Sequence, residues 1–77
     1  MRLDYDKKAD AVYIHISDAP YAYGKDLDDE RRIDFSAEDK PIGIELLCVS
    51  TGINLEDLPE KAQVAKLLEG KHIQVLV

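Results

Sequence analysis

Residues 11–16 read Ala11-Val12-Tyr13-Ile14-His15-Ile16, with Val12, Ile14 and Ile16 apolar and Tyr13 and His15 set between them. Apolar residues at every second position put one set on one side of an extended chain, so this stretch is a strand with one buried face. The pattern recurs outward from it: Leu3 and Tyr5 precede, and Tyr21 and Tyr23, Ile33 and Phe35, and Ile42, Ile44 and Leu46 follow. Turn-forming stretches lie between them, Asp6-Lys7-Lys8-Ala9-Asp10, Ser17-Asp18-Ala19-Pro20, Asp28-Asp29-Glu30 and Ser36-Ala37-Glu38-Asp39-Lys40-Pro41. Connections this short join antiparallel neighbours, so residues 1–50 predict an antiparallel β-meander of about five strands.

Past Thr51-Gly52 the period changes. Leu58, Ala62, Ala65 and Leu68 recur at helical spacing, with Glu60, Lys61, Gln63, Lys66 and Glu69 facing elsewhere. Asp57 as N-cap with Glu60 three residues on reads as a capping box, Pro59 suits a first turn, and Gly70 suits the left-handed stop. His72-Ile73-Gln74-Val75-Leu76-Val77 alternates again, with Ile73, Val75 and Val77 on one face, and predicts a last strand returning to an edge or to a second subunit. The expectation is one α+β domain over residues 1–77, with the helix on one face of the sheet. Ala11, Tyr13, Leu47, Val49 and Leu76 then point away from the inward set, and this second face, or an unpaired strand edge, is the expected surface for a homodimer or partner.

Seventy-seven residues allow no separate cofactor and substrate domains, and a core this small makes self-association a reasonable expectation. Ten basic residues stand against sixteen acidic ones, a net charge of −6, and the acidity is spread along the chain. The basic doublets Lys7-Lys8 and Arg31-Arg32 sit among aspartates and glutamates, which disfavours direct nucleic-acid and anionic membrane binding and favours a basic protein partner. Cys48 is the sole cysteine, there is no apolar leader, and no stretch reaches the length of a membrane span, so a reducing, cytoplasmic setting is expected.

Two blocks carry a resemblance. Asp4-Tyr5-Asp6-Lys7-Lys8-Ala9-Asp10-Ala11-Val12-Tyr13-Ile14-His15-Ile16-Ser17, followed by Ile33-Asp34-Phe35 and Ile42-Gly43-Ile44-Glu45-Leu46-Leu47, resembles the small prokaryotic proteins grouped as domain of unknown function 2283. The likeness covers about residues 1–50. The turns at Asp28-Asp29-Glu30 and Glu38-Asp39-Lys40-Pro41 lack the glycines that relatives often carry, and the helix beyond Thr51 has no counterpart. The resemblance implies a fold, with no reaction, cofactor or catalytic residue to carry over. Members often lie beside genes for small toxic or nuclease-like proteins, so it implies an antitoxin-like partner role.

Among the polar residues, Tyr13, His15, Asp34 and Glu45 each alternate with an inward apolar neighbour and are expected on one sheet face. There Glu45 as base with His15 or Tyr13 as acid would make a minimal hydrolytic site, the alternative being a solvated face with Arg2 or Arg32 paired to Glu45. Asp4, Asp6 and Asp10 lack the Gly and Glu of a calcium loop, so Asp6 is expected to cap the first turn while Asp10 leads into the next strand. Cys48 reads as a buried strand cysteine rather than a nucleophile or metal ligand with His15 or His72, and His72 as a neighbour of the helix C-terminus. Tyr21 and Tyr23 read as core residues of the meander before an exposed edge. No motif calls for a metal or cofactor. The function expected is a protein interaction module with Tyr13, Tyr21, Tyr23 and Glu45 at the contact; the alternative is a small-ligand-binding dimer or a hydrolase using Glu45 and His15.

Overall fold

In the computed structural model, which describes residues 1–76, the chain runs β1 (Arg2–Asp6), β2 (Ala11–His15), β3 (Tyr23–Asp26), β4 (Arg31–Phe35), β5 (Pro41–Leu47), a 3₁₀ turn (Val49–Thr51), β6 (Ile53–Asn54), α1 (Lys61–Gly70) and β7 (Val75–Leu76). The predicted five-strand antiparallel sheet, single helix and short final strand are all present, an α+β fold. The sheet order is β1-β2-β5-β4-β3. Sequential strands pair at β1-β2, β3-β4 and β4-β5, but residues 16–22 cross the end of the sheet, so β2 pairs with β5 instead of β3. β5, the longest strand, therefore lies at the centre, and β1 and β3 take the edges.

One face of the sheet is covered. Val12, Ile14, Ile33, Ile44 and Leu46 pack against Val49, Ile53, Leu58, Val64, Leu68 and Ile73 from the segment after β5. The helix contributes Val64 and Leu68, one turn apart, whereas Ala62 of the predicted stripe is exposed. Leu58 is buried, but ahead of the helix. Asp57 (φ 64°) and Glu60 (φ 55°) take left-handed backbone on either side of Leu58-Pro59, turning Leu58 into the core, so α1 starts at Lys61 with no capping box. At the other end Gly70 stays helical and His72 (φ 59°) takes the left-handed position. Its N–H donates to Glu69 O and that of Ile73 to Leu68 O, both at 3.0 Å, a Schellman closure that drives Ile73 into the core. His72 thus sits at the helix C-terminus, as expected, through its backbone.

The last strand pairs within its own chain, but not with the large sheet. β7 runs parallel to β6 with α1 as the crossover, Ile53 opposite Val75 and Asn54 opposite Leu76. The predicted face position of Val77 lies outside the described residues. Val49, expected on the open face, is buried: Cys48 (φ 54°) is left-handed, which breaks the alternation and turns Val49 inward while leaving the Cys48 side chain exposed, against the expectation of a buried strand cysteine.

Two side chains tie the segment after β5 to the sheet. The Arg31 guanidinium donates to Asn54 O (2.9 Å), Glu56 O (2.7 Å) and Asp28 Oδ2 (2.9 Å). Asp10 (φ 55°) accepts the Ser50 N–H (2.9 Å) and hydroxyl (2.6 Å) on its carboxylate and the Val49 N–H (3.1 Å) on its carbonyl, clasping the β1-β2 hairpin to the turn after β5. Aspartate is among the few side chains that tolerate this backbone. Asp10→Gly, which relieves the backbone and removes only the clasp, is expected to lower the unfolding free energy by about 1–3 kcal/mol in urea titrations.

Candidate functional site

Among the described residues nothing covers the second face of the sheet, and the strand register sorts it into rows. One row runs Asp4, Tyr13, Glu45, Arg32, Asp26 across β1-β2-β5-β4-β3, and the next runs Arg2, His15, Gly43, Asp34, Gly24. Asp6, Ala11 and Leu47 form a third. The expectation that Tyr13, His15, Asp34 and Glu45 share one face therefore holds geometrically.

The two glycines shape this face. A methyl on Gly43 would overlap the Tyr13 phenol, and one on Gly24 would overlap the Arg32 guanidinium. Tyr13 and Arg32 thus lie down over the neighbouring row, and both reach Asp34, which sits between the two glycines. Tyr13 Oη donates to Asp34 Oδ2 at 2.8 Å, and Arg32 Nε lies 3.5 Å from Asp34 Oδ1. Arg32 also donates to Asp26 Oδ1 (2.9 Å) and, at 3.4 Å, to Tyr21 Oη. Toward β1, His15 Nε2 lies 2.8 Å from Asp4 Oδ2, with its ring edge-on to Tyr13 at 4.7 Å. Burial, then the bond to Asp34 and the charges of Asp34 and Glu45, push the Tyr13 hydroxyl up to about 12.

Glu45 stands apart from this network. Neither Arg2 nor Arg32 pairs with it: Arg2 lies 4.0 Å from Asp4, Arg32 is held by Asp26 and Asp34, and among the described residues Glu45 has no counter-ion. Nor is it joined to His15. Glu45 faces Tyr13 across the β2-β5 pairing while His15 turns to β1, and the two line separate hollows, Glu45 with Asp4, Asp6 and Tyr13, His15 with Arg2, Ser17 and Asp18. A second hollow of about 410 Å³ that Glu45 also lines brings it beside Asp26, Asp28, Asp29, Glu30, Arg31, Arg32 and Leu47.

The tyrosines divide. Tyr21 and Tyr23 are both exposed, against the core reading, because β3 begins only at Tyr23 and lies at the sheet edge. Tyr21 meets Arg32 on the open face; Tyr23 points to the other side, stacked on Phe35 with centroids 5.2 Å apart and donating to Asp39 Oδ1 at 2.6 Å. The three aspartates of the first turn also separate into different tasks: Asp4 holds His15, Asp6 accepts the Ala9 N–H at 3.1 Å as expected, and Asp10 is the clasp. Cys48 follows the Leu47 end of β5, while His15 lies opposite Gly43 at the other end, so they form no pair; Glu30 beside the thiol, by hydrogen bond and then charge, pushes its pKa up. Arg32, Asp26 and the two glycines escaped sequence reasoning as a unit. The available signal was glycine in a strand interior, a mark of close approach by another group.

Fold and face together define a small α+β domain that keeps one sheet face open and polar. The family model described as "Protein of unknown function (DUF2283)" matches residues 2–50, and the chain belongs to that family. No curated protein and no solved structure matches it. The match spans the five-stranded sheet and ends in the 3₁₀ turn, so β6, α1 and β7, which cover the apolar face, lie beyond it. Among the described residues no helix is long and apolar enough to cross a membrane.

Tyr13 gives this face a titration signature. It resists ionisation only when folded, so its stabilising effect is whole below the ordinary tyrosine value near 10 and disappears as pH rises through about 12. A tyrosinate absorbance titration is expected to show a late component near 12 that Tyr13→Phe removes. Gly43→Ala, whose methyl evicts the phenol from Asp34, and Asp34→Asn are both expected to bring it down toward 10.

Proposed function

We propose that the open face of the sheet is a docking surface for a protein partner that presents a basic patch, an antitoxin-like role in which this chain is the acidic member of the pair. The observation that carries the reading is the charge left over after internal pairing. On this face Asp4, Asp6, Asp26, Asp34 and Glu45 outnumber Arg2 and Arg32, and the hollow beside it adds Asp28, Asp29 and Glu30 against Arg31. Both Arg31 and Arg32 are held by carboxylates of this chain, so the surplus around Glu45 faces outward uncompensated. A Lys or Arg from a partner entering there would gain charge-assisted bonds without displacing an existing pair. Tyr13 and Tyr21 lie on the same face, where a part-apolar ring with a polar tip suits a contact, and exposed Leu47 adds an apolar point between the acids. Tyr23, on the opposite side, is outside this surface.

The test begins with capture of the partner at low salt, followed by binding measurements with the purified partner. Affinity is expected to fall as salt rises and to fall about tenfold or more in Glu45→Lys and in Asp29→Lys, with Tyr23→Ala neutral. A partner whose affinity ignores both charge reversals, or capture of none, overturns the reading.

A further inference from the structure

The order of residues along β1 is self-complementary. β1 is an edge strand, bonded to β2 on one side and, among the described residues, to no strand on the other. It reads Arg2-Leu3-Asp4-Tyr5-Asp6, with Arg2, Asp4 and Asp6 exposed on the open face and Leu3 and Tyr5 half-buried against the rim of the core. Residues directly opposite in an antiparallel pair share a sheet face, so a twofold axis normal to the sheet must pass midway between one residue and its own copy. Placed at Asp4, that axis sets Arg2 against Asp6 of the second copy twice, sets Leu3 against Tyr5 twice, and uses every residue of β1. Axes at Leu3 or at Tyr5 leave only three strand residues opposite strand residues, and the latter sets Asp4 against Asp6.

We infer that two copies of this chain join edge to edge through β1, antiparallel about Asp4, into one ten-stranded sheet. The charge pattern is what selects a second copy as the occupant. Unlike charges face each other in both outer pairs, and the apolar pair extends the covered face past its rim. The single like-charge contact, Asp4 against Asp4, falls on the axis, where each carboxylate already has His15 at 2.8 Å and Arg2 at 4.0 Å within its own chain. The other edge offers no such match: a pairing of β3 about Gly24 sets Tyr23, already bonded to Asp39, against Lys25, and one about Lys25 sets lysine on lysine. Because the axis is normal to the sheet, both helices lie on one side and the two open faces merge into one acidic surface. One strand edge buries less than the ~1,200–2,000 Å² of a standard interface, so the dimer is a weak, concentration-dependent one.

Sedimentation of the full chain over a concentration series, at low and high salt, tests this. The expected result is a monomer–dimer equilibrium that salt weakens. Arg2→Glu and Asp6→Arg are each expected to weaken it about tenfold or more, the two together to restore it to within a few-fold, and Asp4→Asn, which removes the like-charge contact, to tighten it. Asp6 also caps the Ala9 N–H, so melting curves accompany the series, and Arg2→Glu with Asp4→Asn suffices if Asp6→Arg loosens the hairpin. A monomer at every concentration, a dimer indifferent to Arg2→Glu, or weakening by Asp4→Asn, which would set Arg2 against Asp4, overturns the inference. The experiment involves no other protein, so its outcome is independent of the partner reading.

Discussion

β5 is hydrogen-bonded along both of its edges, and every other strand of the large sheet joins through it: β1 by way of β2, β3 by way of β4. Its alternation serves both faces at once. Ile42, Ile44 and Leu46 supply the floor of the core, while Gly43, Glu45 and Leu47 define the centre of the open face. A slip of one residue would exchange these sets, burying Glu45 and exposing Ile44, so the register is held by both faces together. The Asp10 clasp on Val49 and Ser50 fixes the exit of β5 in the same way, and from that exit the chain turns back over the apolar face.

The consequence is a strict division of labour between faces. The family-matching residues 2–50 build a sheet whose apolar side needs a cover, and Ile53, Leu58, Val64, Leu68 and Ile73 from the following segment provide it. The opposite side is left to polar groups, but they are organised. Asp34, flanked by two glycines, gathers Tyr13 and Arg32 flat against the backbone, so the aromatic and cationic groups are consumed in a fixed network while Glu45 stays free. A face with Arg32 tied down and its acids in excess presents negative charge in a defined shape, the property that the proposed partner docking uses.

Much of this was legible because strand alternation is a local signal. Val12-Ile14, Ile33 and Ile42-Ile44-Leu46 occupy the core as their period implies, and Tyr13, His15, Asp34 and Glu45 share the far face for the same reason. The misreadings cluster where non-glycine residues adopt left-handed backbone. Cys48 reverses the side of Val49, Asp57 and Glu60 delay the helix start, and His72 takes the stop expected at Gly70. Likewise Asp39 (φ 63°) fills a left-handed turn position in a loop that carries no glycine. Such residues cost about 1–3 kcal/mol each, a cost that burial of Val49, Leu58 or Ile73 offsets, and that exchange is visible only once the core exists.

Period and composition act through neighbouring residues, and they suffice for the five strands of the large sheet, the apolar side of β1, β2, β4 and β5, the helix after them, and the surplus of negative charge. The packed fold adds that β5 sits between β2 and β4, that β7 pairs with β6, and that Asp34 becomes the meeting point of Tyr13 and Arg32. Those outcomes depend on contacts between residues far apart in the chain, where backbone pairing, the space above two glycines and the need to cover one apolar face select among arrangements that local propensity leaves equal.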